Sequence, residues 1–368
     1  MNIALVHYTA CSVIGGVERV MDEHARLFAE QGHRVTVICH RGGGPDAVRL
    51  PGEKSAEAQA AALRPVLAAQ DVVFLHNVLT MPFHAGLTEA LWRVMDELPR
   101  VRFVAWVHDV AACNPDYAPV VPIFSRAHPR CKYVAVSPLR ARQFAEATGM
   151  PAGRCAVIPN GIDSARVLGL PENVAEFARR HDLLDGRMVL LHPTRLVRRK
   201  NAELSIKVAR EFAKRDRPAT VLLTAADDPH NATSHTLAEK LRHECAPESG
   251  VIFAGDHFAI GDAELAGLYR VADGLLFPSR SEGFGLPLLE AALHRLPVFC
   301  SDIEPLRGLL HEGAVCFSPD AEPARVAALI EGTLAASPAF RERRRVLREY
   351  SWSAIYRQHI EVLITQES

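Results

Sequence analysis

Two similar doubly wound α/β domains in tandem are the architecture that this sequence predicts. Three observations point to it. The chain has 368 residues, more than one comfortable core accommodates. Its apolar runs are near-continuous rather than alternating, as strands covered on both faces of a parallel sheet read. The succession of strand and helix runs through the first half, breaks, and starts again.

In the first half, IALVHY (Ile3–Tyr8) precedes a helix from about Gly16 to Gln31. RVTVICH (Arg34–His40), VVFLHN (Val72–Asn77), a helix near Gly86–Glu97 and RFVAWVHD (Arg102–Asp109) follow. KYVAVS (Lys132–Ser137), a helix from Pro138 and CAVIPN (Cys155–Asn160) close it. The polar stretch from IDSARVLGLPENV to RRHDLLDG reads as a linker. The pattern restarts with MVLLHPT (Met188–Thr194), a helix from Ala202, ATVLLTA (Ala219–Ala225), a helix near His235–Cys245 and VIFAG (Val251–Gly255). The helix DAELAGLYRVAD, GLLFPS, LPVFCS (Leu296–Ser301) and AVCFS (Ala314–Ser318) complete it, and only helices remain. The boundaries that follow are an N-terminal Rossmann-like domain over 1–165 and a C-terminal one over 186–349. Ligands of such sheets bind at the carboxyl ends of the strands, so a central cleft faced by both sheets is the expected site.

Composition narrows the function. Basic and acidic residues nearly cancel, 42 against 43, which removes a global electrostatic case for nucleic acid. The run RERRRVLR (Arg341–Arg348) reads as a solvated helix face, with weak contact to an anionic membrane surface as the sharper alternative. No apolar run approaches the length of a transmembrane span, and the apolar start MNIALVHYTACSVIGG reads as a strand rather than a leader. Eight cysteines occur singly, without C-x-x-C, as free thiols of a cytoplasmic protein would. Neither zinc spacing nor D-x-D is present; the nearest forms are Asp227-Asp228 and Asp302–Glu304, so a carboxylate-held divalent metal is not expected.

Four stretches carry chemistry. Gly15-Gly16 opens the first helix, where backbone amides and the helix N-terminus favour an anion. It lacks the G-x-G-x-x-G of dinucleotide enzymes. His108 and Asp109 end a buried strand, where an imidazole can donate to a sugar hydroxyl or be a satisfied structural group. HPTRLVRRKN (His192–Asn201) places Arg195, Arg198, Arg199 and Lys200 in one βα turn, ready partners for a phosphate leaving group. Arg195 and Lys200 are the expected inward-facing pair. SEGFGLPLLEA (Ser281–Ala291) holds Glu282 and Glu290 around a turn whose Phe284, Gly285 and Leu286 amides are free donors at a helix N-terminus. Each carboxylate could hold the vicinal hydroxyls of one sugar ring.

Together GGVERV, IPNGID (Ile158–Asp163), the Arg195…Lys200 loop and EGFGLPLLE, with its E-x7-E spacing, resemble the retaining GT-B glycosyltransferases of family 4 type. That group includes glycogen-synthase-like and phosphatidylinositol mannosyltransferase-like enzymes. The resemblance runs from Gly15 to about Pro319. It implies an acceptor-side first domain, joined by a returning C-terminal helix at about 350–368, and a second domain that binds a UDP- or GDP-linked sugar. Arg195 and Lys200 would neutralise the departing diphosphate. Glu290 would hold the ribose, and Glu282 with the Phe284–Leu286 amides the donor sugar. His108 would contact that sugar near its 6-position, with Asp109 beside it. Gly15 and Gly16 would admit donor phosphate and acceptor, and His257 would lie near the base.

The implied reaction moves a hexose of glucose or mannose type to a hydroxyl acceptor, small and soluble or lipid-linked, with no cofactor or metal. The alternatives are an epimerase of the same fold and a non-catalytic nucleotide-sugar binder. The chain departs from the family's pattern where Thr194, Asn201 and Arg295 stand at positions often occupied by glycine.

Overall fold

A computed structural model describes residues 1–11, 13–117, 121–151, 153–215, 219–224, 232–245 and 250–365. Ala225, Asp227, Asp228 and the end of the loop VAACNPDYAP (118–119) lie outside them. The chain divides into two units, Met1–Gly161 with Trp352–Ser368, and Ile162–Ser351.

The first unit is a seven-stranded sheet in the order β3-β2-β1-β4-β5-β6-β7. Its strands are β1 (Asn2–Val6), β2 (Arg34–Cys39), β3 (Val48–Arg49), β4 (Val72–His76), β5 (Arg102–Val107), β6 (Cys131–Ala135) and β7 (Cys155–Val157). The second is six-stranded, β10-β9-β8-β11-β12-β13. It comprises β8 (Met188–His192), β9 (Ala219–Leu223), β10 (Val251–Phe253), β11 (Gly274–Phe277), β12 (Val298–Ser301) and β13 (Ala314–Phe317). Every pairing in both sheets is parallel. Strand order reverses between β1 and β4, and again between β8 and β11. Those reversals are the topological switch points where ligands of open α/β sheets bind.

The continuous apolar runs have the expected cause. Ala4 and Val6 of β1 enter one core with Val73 and Leu75, while Ile3 and Leu5 enter another with Phe74 and Trp106. A strand buried on both faces has no polar face to alternate with. The C-terminal segment covers the second of these cores with Trp352, Ile355, Tyr356, Ile360 and Ile364. In IPNGID, a Cβ on Gly161 would stand 2.4 Å from the Trp352 indole, so the motif's glycine admits that ring.

Three readings need correction. The stretch read as a linker is part of the second unit: Ser164–Val167 and Glu172–Arg180 are helical, and Val174, Phe177 and Ala178 are buried. Its apolar residues sit at i, i+3 and i+4 among Glu172, Arg179 and Arg180, so the polar face dominates a window average. The first unit accordingly ends at Gly161 rather than at 165, and the Ile162 amide donates to the Tyr350 carbonyl at 2.7 Å. The run RERRRVLR is not simply a solvated face. Arg343 donates to the carbonyls of Arg270, Val271 and Ala272 at 2.7–2.9 Å, capping the helix Asp262–Val271, and lies 3.6 Å from Asp273. The structure also adds β3 and a helix at Ala56–Leu67, where the sequence reading assigns nothing. Cys39, Cys131, Cys155 and Cys300 are buried free thiols, and Cys113 and Cys316 are exposed. Among the described residues no helix is long and apolar enough to cross a membrane.

Arg295 explains one departure from the family pattern. It adopts φ 57°, and its amide and that of Leu296 bond to the Ala292 and Ala291 carbonyls, the Schellman closure of the helix Leu286–Leu293. A left-handed backbone suits glycine and costs an arginine about 1 kcal/mol. Arg295→Gly is therefore expected to stabilise the protein by about 0.5–1 kcal/mol, seen as a midpoint rise of about 2–3 °C in calorimetry. An unchanged or lower midpoint would refute this account.

Candidate functional site

The loops after β8 and β11 flank the switch point of the second unit, and they are HPTRLVRRKN and SEGFGLPLLEA. Two threonines fix the first loop to the end of β9. The Thr194 amide donates to Thr224 Oγ1 at 2.7 Å, and that hydroxyl donates back to the Thr194 carbonyl at 3.0 Å. Both bonds use backbone atoms of Thr194, which glycine would also supply; its own hydroxyl donates to the Arg195 carbonyl at 2.9 Å, a bond that glycine would lack.

A short turn, Arg198–Lys200, ends at Asn201 with φ 56° and ψ 42°. Asn201 replaces a common glycine because asparagine tolerates this left-handed conformation. Its Nδ2 also donates to the carbonyls of Pro278 and Pro319, both at 3.0 Å. One buried side chain thereby joins the loops after β8, β11 and β13. Asn201→Gly keeps the backbone and loses both bonds, an expected cost of about 2 kcal/mol. Asn201→Ala adds about 1 kcal/mol of backbone strain. Denaturant unfolding of the pair checks this, and equal stabilities would remove the backbone argument.

Lys200 Nζ lies 2.6 Å from Glu282 Oε1 and 4.9 Å from the centre of the Phe277 ring. Arg199 reaches Glu282 Oε2 at 3.4 Å and the Ser281 carbonyl at 3.3 Å. The Glu282 side chain is 6% exposed and that of Lys200 14%. Arg280 donates its amide to the Arg199 carbonyl at 2.7 Å, tying the two loops together. A buried carboxylate held by two cations is satisfied, and it fixes where those cations point.

Arg199 and Lys200 of this network also line a cavity of about 380 Å³. Arg195 and Glu290 line it with them, and Leu286 and Ile260 supply apolar surface. Arg198 instead borders a separate groove with Lys207 and Arg280. Glu282 is not among the cavity-lining residues, nor is His257, which is exposed with its ring against Phe177 and His181. Gly285 has φ 109° and a Cβ there would stand 2.5 Å from Leu306, so the turn before the helix Leu286–Leu293 requires glycine. Pro287 occupies the first helical turn as expected. Among the described residues the Phe284, Gly285 and Leu286 amides have no backbone acceptor, and the side chains of Phe284 and Leu286 are about half exposed. Glu290 Oε2 accepts a 2.7 Å bond from the Tyr269 hydroxyl. Cations, a carboxylate and the helix N-terminus at Leu286 around one cavity can bind an anion joined to a polyol.

In the first unit, His108 and Asp109 follow β5. Asn77, itself at φ 57°, accepts from the amides of both residues at 2.8 and 3.1 Å. His108 Nε2 lies 3.2 Å from His76 Nδ1. Burial, and then charge on His7, pull the His108 imidazolium down to about 3, so it is neutral at pH 7. Asp109 is paired with Arg140 at 3.0 Å. At the first βα turn the structure brings in Glu18, which the sequence reading passes over. Its buried carboxylate accepts from Thr9 and lies 3.9 Å from His7 Nε2. A Cβ on Gly15 would fall 2.0 Å from Glu18 Oε2, whereas one on Gly16 would meet nothing within 4 Å. Gly15 therefore makes room for this carboxylate, and the open space lies at Gly16.

Residues 14–166 match the family model described as Glycosyltransferase Family 4, and residues 173–352 match Glycosyl transferases group 1. The chain is 40% identical over 100 residues to the serotype-specific mannosyltransferase WbdA of Escherichia coli, covering 27% of this chain and 12% of that protein. It is 30% identical over 189 residues to a D-inositol 3-phosphate glycosyltransferase of Kineococcus radiotolerans, covering 50% and 42%. The chain thus spans less than half the length of these curated relatives. Among solved structures it is similar to Anabaena HepE in complex with UDP and glucose, at 17% identity, full coverage of both chains and a TM-score of 0.39. The first match runs to residue 166, five residues past the end of the first unit at Gly161, the second begins at 173 and contains both motif loops, and together they place the chain in the family 4, group 1 glycosyltransferases.

Proposed function

We propose that the protein is a metal-independent, retaining glycosyltransferase that moves a hexose from a nucleoside diphosphate sugar to a hydroxyl acceptor. The observation that carries the reading is one cavity lined by Arg195, Arg199 and Lys200 together with Glu290. A departing diphosphate gains negative charge as the glycosidic bond breaks, and fixed cations in a partly dry site stabilise it without reorganising. Glu290 would accept hydrogen bonds from the ribose hydroxyls. The free amides of Phe284–Leu286, with Glu282 beneath, would hold the transferred sugar.

Retention fits a same-face course in which the leaving phosphate takes the acceptor proton. Glu282 is already engaged by Lys200 and Arg199 and is poorly placed as a nucleophile. His108, neutral at pH 7, would donate to a sugar hydroxyl. Gly16 leaves space for a ligand at the first βα turn. His257 is proposed for the base only if it leaves its contacts with Phe177 and His181. The activity named for one relative, a mannosyltransferase, supports a hexose of mannose type.

A thermal-shift screen of UDP-, GDP- and ADP-hexoses, followed by mass spectrometry and anomeric NMR with candidate acceptors, tests the reading. Stabilisation by one donor and a glycoside of unchanged anomeric configuration, insensitive to EDTA, are expected. An inverted product, loss of turnover in EDTA, or a free epimer formed without acceptor would overturn it.

A further inference from the structure

Glu290 differs from Glu282 in how it is held. Among the described residues no cation stands within ion-pair distance of it, and its side-chain partner is Tyr269. Tyr269 belongs to the helix Asp262–Val271, is 1% exposed, and lies flat against His294 with ring centroids 5.1 Å apart and planes 7° off parallel. Its hydroxyl donates to Glu290 Oε2 at 2.7 Å, with the Pro287 carbonyl at 3.4 Å. Burial, and then this bond, raise the phenol well above its ordinary range, so it stays protonated and the direction of donation is fixed.

The surroundings give this bond a specific task. Glu290 and Leu265 border two cavities: the cation-lined one, and a smaller one of about 230 Å³ bordered also by Asp262, Tyr269, Leu293 and His294. A glutamate with open space on two sides and no cation has more than one staggered side-chain arrangement available. Ordering it only when a ligand arrives would weaken binding by the lost side-chain freedom.

We propose that Tyr269 is a positioning residue for the donor: it holds one oxygen of Glu290 so that the other is presented to the vicinal hydroxyls of the nucleotide ribose. This rests on the donor site proposed above. Without the hydroxyl, the carboxylate is free to turn into the smaller cavity beside His294, and the ribose loses its acceptor. Donor affinity, not the chemical step, is then what Tyr269 sets.

Tyr269→Phe tests this, because the ring and its contact with His294 remain. In the wild type, UDP, GDP or ADP, whichever binds, is expected to bind at least tenfold tighter than its 2′,3′-dideoxy counterpart. In Tyr269→Phe that ratio should fall to about twofold or less, donor KM should rise about 5–20-fold, and kcat should stay within about twofold. In a Glu290→Gln background the tyrosine change should add no more than about twofold. A wild-type ribose preference that Tyr269→Phe retains overturns the inference and leaves the proposed function standing. A wild type indifferent to the ribose hydroxyls overturns both this inference and the Glu290 role. Failure of all three diphosphates to bind removes the proposed function as well.

Discussion

Replacing Lys200 by alanine is expected to lower kcat/KM by about 10³-fold while the protein stays folded. The magnitude follows from position. Lys200 Nζ is one of three cations lining the cavity and sits on a side chain only 14% exposed. Removing a single preorganised donor from a developing oxyanion costs about 10²–10³ in rate, and a full charge belongs at the upper end. The same change leaves the buried Glu282 carboxylate with Arg199 alone, at 3.4 Å, which should cost about 1–3 kcal/mol of stability. Two effects thus arise from one substitution, and a second substitution separates them. Lys200→Ala with Glu282→Ala should recover part of the lost stability, because no buried charge is stranded, but none of the activity. Turnover of the variants under donor saturation, read beside their thermal midpoints, decides the matter. Near-normal turnover in Lys200→Ala would end its assignment to the leaving group, whatever the stability data show.

What could be read from the sequence was whatever depends on neighbours along the chain. HPTRLVRRKN and SEGFGLPLLEA each follow an apolar strand and precede a helix, so their placement at strand ends was legible, and strand order then brings β8 and β11 side by side. Asn201 and Arg295 were legible only as oddities, glycine positions carrying side chains. Their positive φ values supply the reason. Pairings across the fold left no local trace. Tyr269 and Glu290 are 21 residues apart and Thr194 and Thr224 are 30 apart, on different elements. DAELAGLYRVAD reads as an amphipathic helix whether or not its tyrosine has a partner. Glu18 was hidden similarly, as one acid in the first turn of a helix where an acid is ordinary. The segment 162–186 was misread because its buried stripe is narrow and its charged face wide.

Acidification from pH 7 to pH 5 is expected to destabilise the first unit more than the second, through buried neutral histidines. Burial pulls His24 and His108 in the first unit, and His192 in the second, down to about 3. His76, ringed by other histidines, is held well below its ordinary value. A histidine that titrates near 6.5 when unfolded and near 3 when folded binds its proton only in the unfolded state between those values. Its contribution is therefore present above about pH 6.5 and lost as pH falls, by about 1.4 kcal/mol per pH unit per group. At pH 5 that is about 2 kcal/mol each, so about 4 kcal/mol from His24 and His108 together against about 2 kcal/mol from His192. Carboxyls that pairing lowers, such as Glu97 with Arg64, act below this window. Asp22 and Asp273, which burial raises, oppose the trend. His24 makes the cleanest test. Both its ring nitrogens lack a partner among the described residues, and it is packed against Phe28, Phe74, Trp106 and Trp352. His24→Leu keeps an apolar group there and removes one titration. Its unfolding free energy, measured in urea at half-unit steps from pH 7 to pH 5, should fall about 2 kcal/mol less over that range than that of the wild type, with the difference in slope approaching about 1.4 kcal/mol per pH unit below pH 6.5. Parallel slopes would show that His24 gains its proton in the folded state, and that the acid sensitivity of this unit has another source.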